Sequence, residues 1–476
     1  MRRCFPAVSR SPRRRCIESE AGCDGARNRG FLPRFSGEMP LLNRTEFARR
    51  RRRLLGMMGE GSIAILPAKP VCKRNRDNEY PYRPDSDFWY LSGFPEPDAV
   101  LVLIPGRKHG EYILFCRERD PEVERWNGSR AGQQGAVEIY GADDSFPIDD
   151  IDDILPGMLE NRSQVYYTMG REPAFDQKLI GWINRLRGKA RAGVHAPDNI
   201  TALEHLLHEM RLIKSKAEIQ LMRRAAQVTA QAHRRAMKAC RPGLYEYQIE
   251  AELLHEFAYN GCRFPAYSSI VAGGRNACVL HYTENRDRLK NNDLLLIDAG
   301  AEYQYYAADI TRTFPVNGKF RRAQRALYEI VLAAQEAAIE QVRPGKHWND
   351  PHEAAVEVIT EGLVALGLLK GRVSTLIKKE AYKPYFMHRT GHWLGMDVHD
   401  VGEYKVGESW RVLEPGMVMT VEPGIYIPEG GKADKKWWNN GIRIEDDILV
   451  TRDGCEVLTA DAPKTIEAIE ALMGDE

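Results

Sequence analysis

Acidic residues set inside apolar, β-favouring runs constrain this chain more than any other feature, because a buried carboxylate must be paired, protonated or bound to a cation. The first such stretch is LLLIDAGAEYQYYAADITRTF, residues 294–314. Leu294 to Ile297 is a short apolar run of the kind a buried strand shows, and Ile310, Thr311, Thr313 and Phe314 favour a second strand. A connection turning about Tyr303 and Gln304 makes Asp298 and Asp309 cross-strand partners, with Cβ atoms roughly 5 Å apart on one face. Two carboxylates that close in an apolar setting repel, and one stays protonated unless a cation sits between them. Hard divalent ions favour carboxylate oxygen, so a shared metal resolves the conflict. A solvated hairpin with two surface acids is the competing reading of this stretch alone.

The same pattern returns late in the chain. MVMTVEPGIYIP (417–428) is a strand-like run with a single acid, Glu422, stopped by Pro423 and Gly424. In GIRIEDDILV (441–450) the residues Ile442, Ile444, Ile448 and Val450 share one face. By the period of two, Arg443 and Glu445 share the other, with the arginine placed to hold or neutralise the acid. Asp446 and Asp447 read as strand-end or supporting residues. Just upstream, MHRTGHWLGMDVHDVG (387–402) carries His388, His392 and His399 among glycines. Gly391 and Gly395 weaken any helix there, so a loop that brings imidazoles to a cleft fits better. A lone histidine is more often a satisfied structural residue than a ligand; three within twelve residues, beside glycines, favour function.

Asp298, Asp309, His392, Glu422 and Glu445 thus form an oxygen-rich set with one imidazole, which suits Mn²⁺-like or other hard divalent ions better than a structural zinc. Five ligands with two potential bridging carboxylates suggest two ions roughly 3.5–4 Å apart, as in two-metal hydrolases. The reaction implied is hydrolysis.

The rest of the chain sets the frame. At 476 residues it is too long for one ordinary core, and two domains are expected. It is 43% hydrophobic and 28% charged, with no apolar run near the roughly 18 residues a membrane span needs. Residues 1–38 hold nine arginines and four acids, so the remainder carries 59 Lys and Arg against 63 Asp and Glu. A mildly acidic body argues against nucleic acid as a partner. The nine cysteines lack metal-ribbon or framework spacing, which fits a reducing, cytoplasmic setting.

In order, residues 1–38 are Arg-, Ser-, Pro- and Gly-rich and are expected to be disordered. They read as an extension, a targeting segment or the product of a mis-assigned start, with Met39 as the favoured beginning and Asn43 or Thr45 capping a first helix. Apolar strands SIAILPA, AVLVLIPG, YILFCRE and VYYTM then alternate with helical stretches near 176–187 and 201–211, an α/β pattern. The boundaries this gives are 39–195 for a first domain, 196–214 for a linker, 215–462 for a catalytic domain and 463–476 for a tail. Ser215 and Glu218 form a capping box for a helix that Pro242 and Gly243 stop. Further helices are expected from about 245 to 259, 321 to 342 and 351 to 367.

These five residues, four acids and one histidine, in that order within IDAG, DITRTF, GHWLG, TVEPG and GIRIEDD, resemble the metal site of the pita-bread metallopeptidases. HYTEN, DVHDVG and EYPYR…SDFWYLSGF narrow the likeness, over most of residues 40–460, to the aminopeptidase P (Xaa-Pro aminopeptidase) family. The resemblance implies an α/β (α+β) chain, with a creatinase-like N-terminal α/β domain and a C-terminal pita-bread domain holding two metal ions, usually manganese. Asp298 would chelate one ion, Asp309 and Glu445 would bridge both, and His392 with Glu422 would complete the other, Glu422 also carrying a proton. His281, His388 and His399 would line the substrate site and steady the tetrahedral intermediate, and Arg443 would orient Glu445. Asp77 and Trp126 resemble residues that reach a neighbouring subunit's active site, which implies a homo-oligomer, a dimer or tetramer. The GSRAGQQGA around Trp126 departs from that pattern.

The activity implied is release of the N-terminal residue from peptides with proline in second position. A prolidase shares the five ligands but cleaves only dipeptides, whereas a methionine aminopeptidase normally lacks so large an N-terminal domain. A metal-free binding protein on the same fold, with the Arg-rich head tethering nucleic acid, would have lost one or more ligands.

Overall fold

A computed structural model describes residues 42–474. The expected disorder of 1–38 and the start at Met39 fall outside the described residues. The first helix, Arg44–Met58, begins where Asn43 accepts the Glu46 N–H at 3.0 Å, one of the two caps expected. Its run of arginines is only partly solvated, since Arg50 and Arg51 turn inward while Arg49, Arg52 and Arg53 are exposed. Arg50 is buried and donates to the Tyr90 carbonyl at 3.0 Å and the Tyr306 hydroxyl at 3.1 Å, with Glu218 at 3.3 Å, while Arg51 donates to the Leu91 carbonyl at 2.7 Å. The helix is thereby tied both to the short helix Ser86–Ser92 and to residues far along the chain.

The first half of the chain builds a six-stranded sheet. Its spatial order is Asp144–Pro147, Tyr112–Cys116, Val100–Leu103, Ser62–Pro67, Gln164–Tyr166 and Asn199–Thr201. Only Val100–Leu103 runs antiparallel to its neighbours. The four inner strands are those the apolar runs predict. The two edges, DSFP and NIT, are short and partly polar and carry no such signal. Ile63, Ile65, Val102 and Phe115 pack one face against helices Ile151–Leu159 and Pro173–Gly188. The stretch 196–214, read as a linker, contains the edge strand Asn199–Thr201 and helix Glu204–Leu212. Residues 463–476, read as a tail, contain helix Ile466–Gly474, which buries Ile466, Ile469 and Leu472.

The second half repeats one plan: two helices followed by antiparallel strands. Helix Lys216–Ala239 starts at the Ser215/Glu218 capping box, as its sequence predicts, and packs on Glu246–Tyr259. Strands Ile270–Gly273, Leu294–Asp298 and Thr311–Pro315 follow in one sheet. Helices Arg322–Gln341 and Asp350–Ala365 then precede strands Val418–Val421, Gly424–Ile427, Asn440–Arg443 and Asp446–Val450. Apolar residues from both repeats join one large core, so the strand ends of the two repeats face a common cleft. This is an N-terminal α/β domain followed by a pita-bread domain. No helix among the described residues is long and apolar enough to cross a membrane.

Candidate metal centre

Asp298 ends the strand Leu294–Asp298, and Asp309 lies in the connection leading to Thr311–Pro315. The register differs by two from the sequence expectation: Asp298 faces Thr311, not Asp309, because the hairpin turns at Gln304 and Tyr305, with φ of 48° and 69°. That left-handed pair matches the twist of the flanking strands, as two-residue hairpin turns do. An even shift keeps both aspartates on the same face. Gly300 makes the approach possible, since a Cβ there would sit 1.7 Å from the Ala308 carbonyl oxygen.

The other two acids occupy breaks in strands. The run 417–428 splits into Val418–Val421 and Gly424–Ile427, and the run 441–450 splits into Asn440–Arg443 and Asp446–Val450. Pro423 has no N–H to offer a ladder. The ladder therefore lapses at Glu422 and Glu445, whose own N–H groups turn to the carbonyls of Thr390 at 2.8 Å and Thr311 at 3.1 Å. The break at Glu422 falls where Pro423 and Gly424 stop the expected run, whereas the single strand expected from the periodicity of 441–450 is corrected, and the breaks are what aim both carboxylates into the cleft.

His392 sits on irregular backbone pinned to the Val418–Val421 strand: its N–H donates to Thr420 Oγ1 at 3.0 Å, and Thr420 N–H donates to the His392 carbonyl at 2.9 Å. A Cβ on Gly391 would lie 2.0 Å from the Thr420 carbonyl oxygen, so only glycine permits this docking. Nδ1 of His392 donates to the Trp393 carbonyl at 3.0 Å. The lone pair is thus left on Nε2, which faces Asp309 Oδ2 at 3.5 Å and Glu422 Oε1 at 3.7 Å. Asp309, His392 and Glu445 each present a donor atom within 4.8 Å of the others.

The electrostatics of this cluster call for positive charge. Burial, then the proximity of Asp298, raises the Asp309 carboxyl, and burial with Asp309 drives Glu445 well above the usual range. Burial lifts Glu422 to about 7 despite His392 and Arg443. His392 rises to about 9, its burial outweighed by Asp309 and Glu422. Asp298 alone is lowered: burial opposes its charge, but Arg443 prevails. The Tyr267 hydroxyl contacts Asp298 Oδ1 at 2.6 Å and, more closely still, Asp309 Oδ1. One hydroxyl proton cannot satisfy two carboxylates. The donor set, four carboxylates and one imidazole lone pair short of balancing charge, fits hard divalent cations.

Arg443 does not touch Glu445 directly. It donates from Nη2 to Asp298 Oδ2 at 2.6 Å and from Nε to Thr311 Oγ1 at 3.1 Å, and the Thr311 hydroxyl donates to Glu445 Oε2 at 2.6 Å. Nη1 donates to the Tyr426 hydroxyl at 3.0 Å, which lies 2.8 Å from His388 Nε2. Because His388 Nδ1 donates to the Arg389 carbonyl at 2.7 Å, its Nε2 accepts from Tyr426. Burial beside Arg443 lowers His388 to about 3, so it is neutral. His281, His388 and His399 all line the same cavity of about 470 Å³ as the four acids and His392, and the His399 ring lies 4.4 Å from that of His392. Asp77 and Trp126 are not brought to this cavity within the chain; Asp77 is exposed in a turn, and Trp126 is 88% exposed on helix Pro121–Asn127.

Sequence reasoning missed Tyr267, Thr311, Tyr426 and the backbone role of Asp447, whose Oδ2 accepts the Asp309 N–H at 3.1 Å. Nothing local marks a tyrosine or threonine in a strand as a ligand's partner. Only the alternation that puts Thr311 and Tyr426 on the faces of Asp298 and Arg443 could have pointed to them.

Comparison with known proteins agrees with this geometry. The family of metallopeptidases M24 matches residues 220–452, and the aminopeptidase P N-terminal domain matches residues 47–166. The Xaa-Pro aminopeptidase of Escherichia coli is 48% identical over 91% of this chain and 99% of its own length. The aminopeptidase PepP of Pseudomonas aeruginosa superposes with a TM-score of 0.91 at 62% identity, over 91% of this chain and 99% of that one. A zinc-substituted aminopeptidase P from E. coli, solved with product, gives 0.89 at 47% identity, over 91% of this chain and 98% of that one.

Proposed function

The chain belongs to the aminopeptidase P branch of metallopeptidase family M24, and from that premise we propose which residues carry its metal-dependent release of N-terminal residues from Xaa-Pro peptides. Asp298, Asp309, His392, Glu422 and Glu445 would hold two divalent ions, manganese by the hardness of the donor set. The carrying observation is the convergence of Asp309, His392 and Glu445 donor atoms within 4.8 Å of one another, inside a buried cluster of carboxylates that Arg443 alone does not neutralise. Bound ions of this kind polarise a carbonyl and activate water for attack.

The chain's own groups supply the rest. Glu422, lifted to about 7, is poised to take a proton and return it to the departing ring nitrogen. Asp298 is kept charged by Arg443, which the Tyr426 hydroxyl and Thr311 hold in place. His281 and His399 border the cavity where donors to a developing oxyanion are needed. His388, neutral and with both ring nitrogens engaged, fixes Tyr426 and through it Arg443. Proline's amide has no N–H and its ring fixes φ, so a site for Xaa-Pro peptides needs no acceptor at that nitrogen.

The assembly is a homo-oligomer, a dimer or tetramer, in which Trp126 and Asp77 serve a neighbouring copy; the large exposed ring of Trp126 supports this reading. A cytoplasmic setting is supported by free cysteines at Cys72, Cys116, Cys240, Cys262, Cys278 and Cys455. The test is kcat/KM on a Xaa-Pro-Gly tripeptide, its Xaa-Ala-Gly counterpart and a Xaa-Pro dipeptide, with and without Mn²⁺. The proline tripeptide should be preferred over the alanine one by at least about 100-fold and cleaved at least as well as the dipeptide. Equal values for proline and alanine would refute the specificity, and cleavage of dipeptides only would make the chain a prolidase.

A further inference from the structure

The His399 ring meets that of His392 at 4.4 Å but, among the described residues, exchanges no hydrogen bond with the protein, whereas His388 and His392 are each fixed through Nδ1. Its place beside the metal cluster therefore depends on the backbone that carries it. Residues 396–400 have no regular secondary structure to hold that backbone.

It is held instead by side chains from the first half of the chain, on both sides of the histidine. Arg211, at the end of helix Glu204–Leu212, donates from Nη2 to Asp397 Oδ2 at 2.8 Å and to Asp400 Oδ1 at 2.5 Å. One nitrogen thus grips the residues two before and one after His399. Ser86 donates to Asp397 Oδ1 at 2.7 Å, Arg83 to the Met396 carbonyl at 2.8 Å, and Lys214 to Asp400 Oδ2 at 3.0 Å. Arg211 is itself anchored through Nη1 to Asp87 Oδ1, at 2.8 Å, on helix Ser86–Ser92. The fit has no slack: a Cβ on Gly395 would lie 2.0 Å from Asp400 Oδ2, and one on Gly402 would lie 2.9 Å from Leu212 Cδ1.

The side chains of Asp87, Arg211, Lys214 and Asp400 are each no more than 3% exposed. Desolvation offsets most of the attraction between charges buried this deeply, so stability alone does not account for their convergence on an irregular loop.

We infer that Arg211 is a positioning residue for the reaction: it fixes the loop 396–400 so that His399 stands where a donor to the developing oxyanion is needed. The inference rests on the reading of His399 given above and names what holds that ring in place. Arg211→Lys keeps the charge but not the planar fork that spans Asp87, Asp397 and Asp400. Asp397→Asn loosens one grip at a side chain that is 40% exposed, and leaves the buried contact with Asp400 intact.

The test measures kcat and KM for Xaa-Pro-Gly on the Mn²⁺-loaded full chain carrying Arg211→Lys, Asp397→Asn, His399→Ala, or either of the first two joined to the third, with bound Mn²⁺ and a thermal melt for each. Misplacement of a reacting group by about 1 Å costs on the order of 100-fold, and the two single variants should each lower kcat by at least about tenfold. KM should stay within about twofold, as when an interaction made only in the transition state is lost, and Mn²⁺ content should match wild type. In the His399→Ala background each substitution should cost less than about twofold more, because residues that act through one group are not additive. A loss of full size in that background, a loss that follows Mn²⁺ content or KM, or no loss in either single variant would overturn the inference. Should Arg211→Lys fail to fold, Asp397→Asn and its double variant decide. His399→Ala within about twofold of wild type would instead overturn the reading of His399 beneath the inference, and the inference with it.

Discussion

The Arg443 guanidinium meets Asp298 at 2.6 Å and reaches Glu445 only through the Thr311 hydroxyl, so one buried cation governs two carboxylates by different routes. Its direct partner is the one carboxyl of the cluster held below the usual range.

Replacing Arg443 by lysine keeps the charge but cannot donate to Asp298, Thr311 and Tyr426 from one planar fork. Loss of such ligand support costs about 10–100-fold in metal affinity or activity. Steady-state kinetics of Arg443→Lys with a Mn²⁺ titration should find a loss of that size. A variant within twofold of wild type would show that the fork orients nothing.

Arg312 is wholly buried and gathers the chain behind the metal cluster. It donates to Asp446 at 2.7 Å, to the carbonyls of Ala462 and Pro463 at 3.0 and 3.1 Å, and to the Glu445 carbonyl. Arg312→Met would leave Asp446 buried with Lys464, Gln335 and Thr459 as its remaining side-chain partners. Removing one partner of a buried pair costs on the order of 3–5 kcal/mol. Urea unfolding should register that loss, and an unchanged midpoint and slope would contradict it.

Stability should fall in acid for a defined reason. Burial pulls His233 down to about 4, and burial with Arg389 pulls His352 to about 4. In the unfolded chain both titrate near 6.5, so below that pH the unfolded state binds protons that the folded state refuses. Stability is full above about 6.5 and declines as pH falls towards 4, by on the order of 3 kcal/mol for each histidine. Urea melts from pH 7 to 4 should follow this course, and His233→Gln should remove about one proton from those taken up on unfolding near pH 5. A slope unaltered by that substitution would rule His233 out.

Much of this was legible in the chain, and the exceptions have physical causes. Helix Lys216–Ala239 was signalled by Ser215 and Glu218, and the inner strands by their apolar runs, because these are local signals. The four acids stood out since charge in a strand context is costly, and His392 by its company of histidines and glycines. The hairpin register slipped by two because Gln304 and Tyr305, neither a typical turn residue, take the left-handed turn. The break at Glu422 was signalled by Pro423 and Gly424, but that at Glu445 was hidden, since the run around it contains no glycine or proline between Arg443 and Val450. Tyr267 left no trace because its partners lie 31 and 42 residues away.

The most direct test of the account is the metal content of Asp309→Asn beside wild type, measured by elemental analysis after loading with Mn²⁺. Asp309 is the proposed shared ligand, it faces His392 at 3.5 Å, and its carboxyl is raised by burial and then by Asp298. The wild-type chain should carry two ions. The variant should hold fewer than one, lose on the order of 10³-fold or more in kcat/KM, and melt no lower than wild type once both are metal-free. A variant that keeps two ions per chain and near-normal turnover would contradict the assignment of the centre.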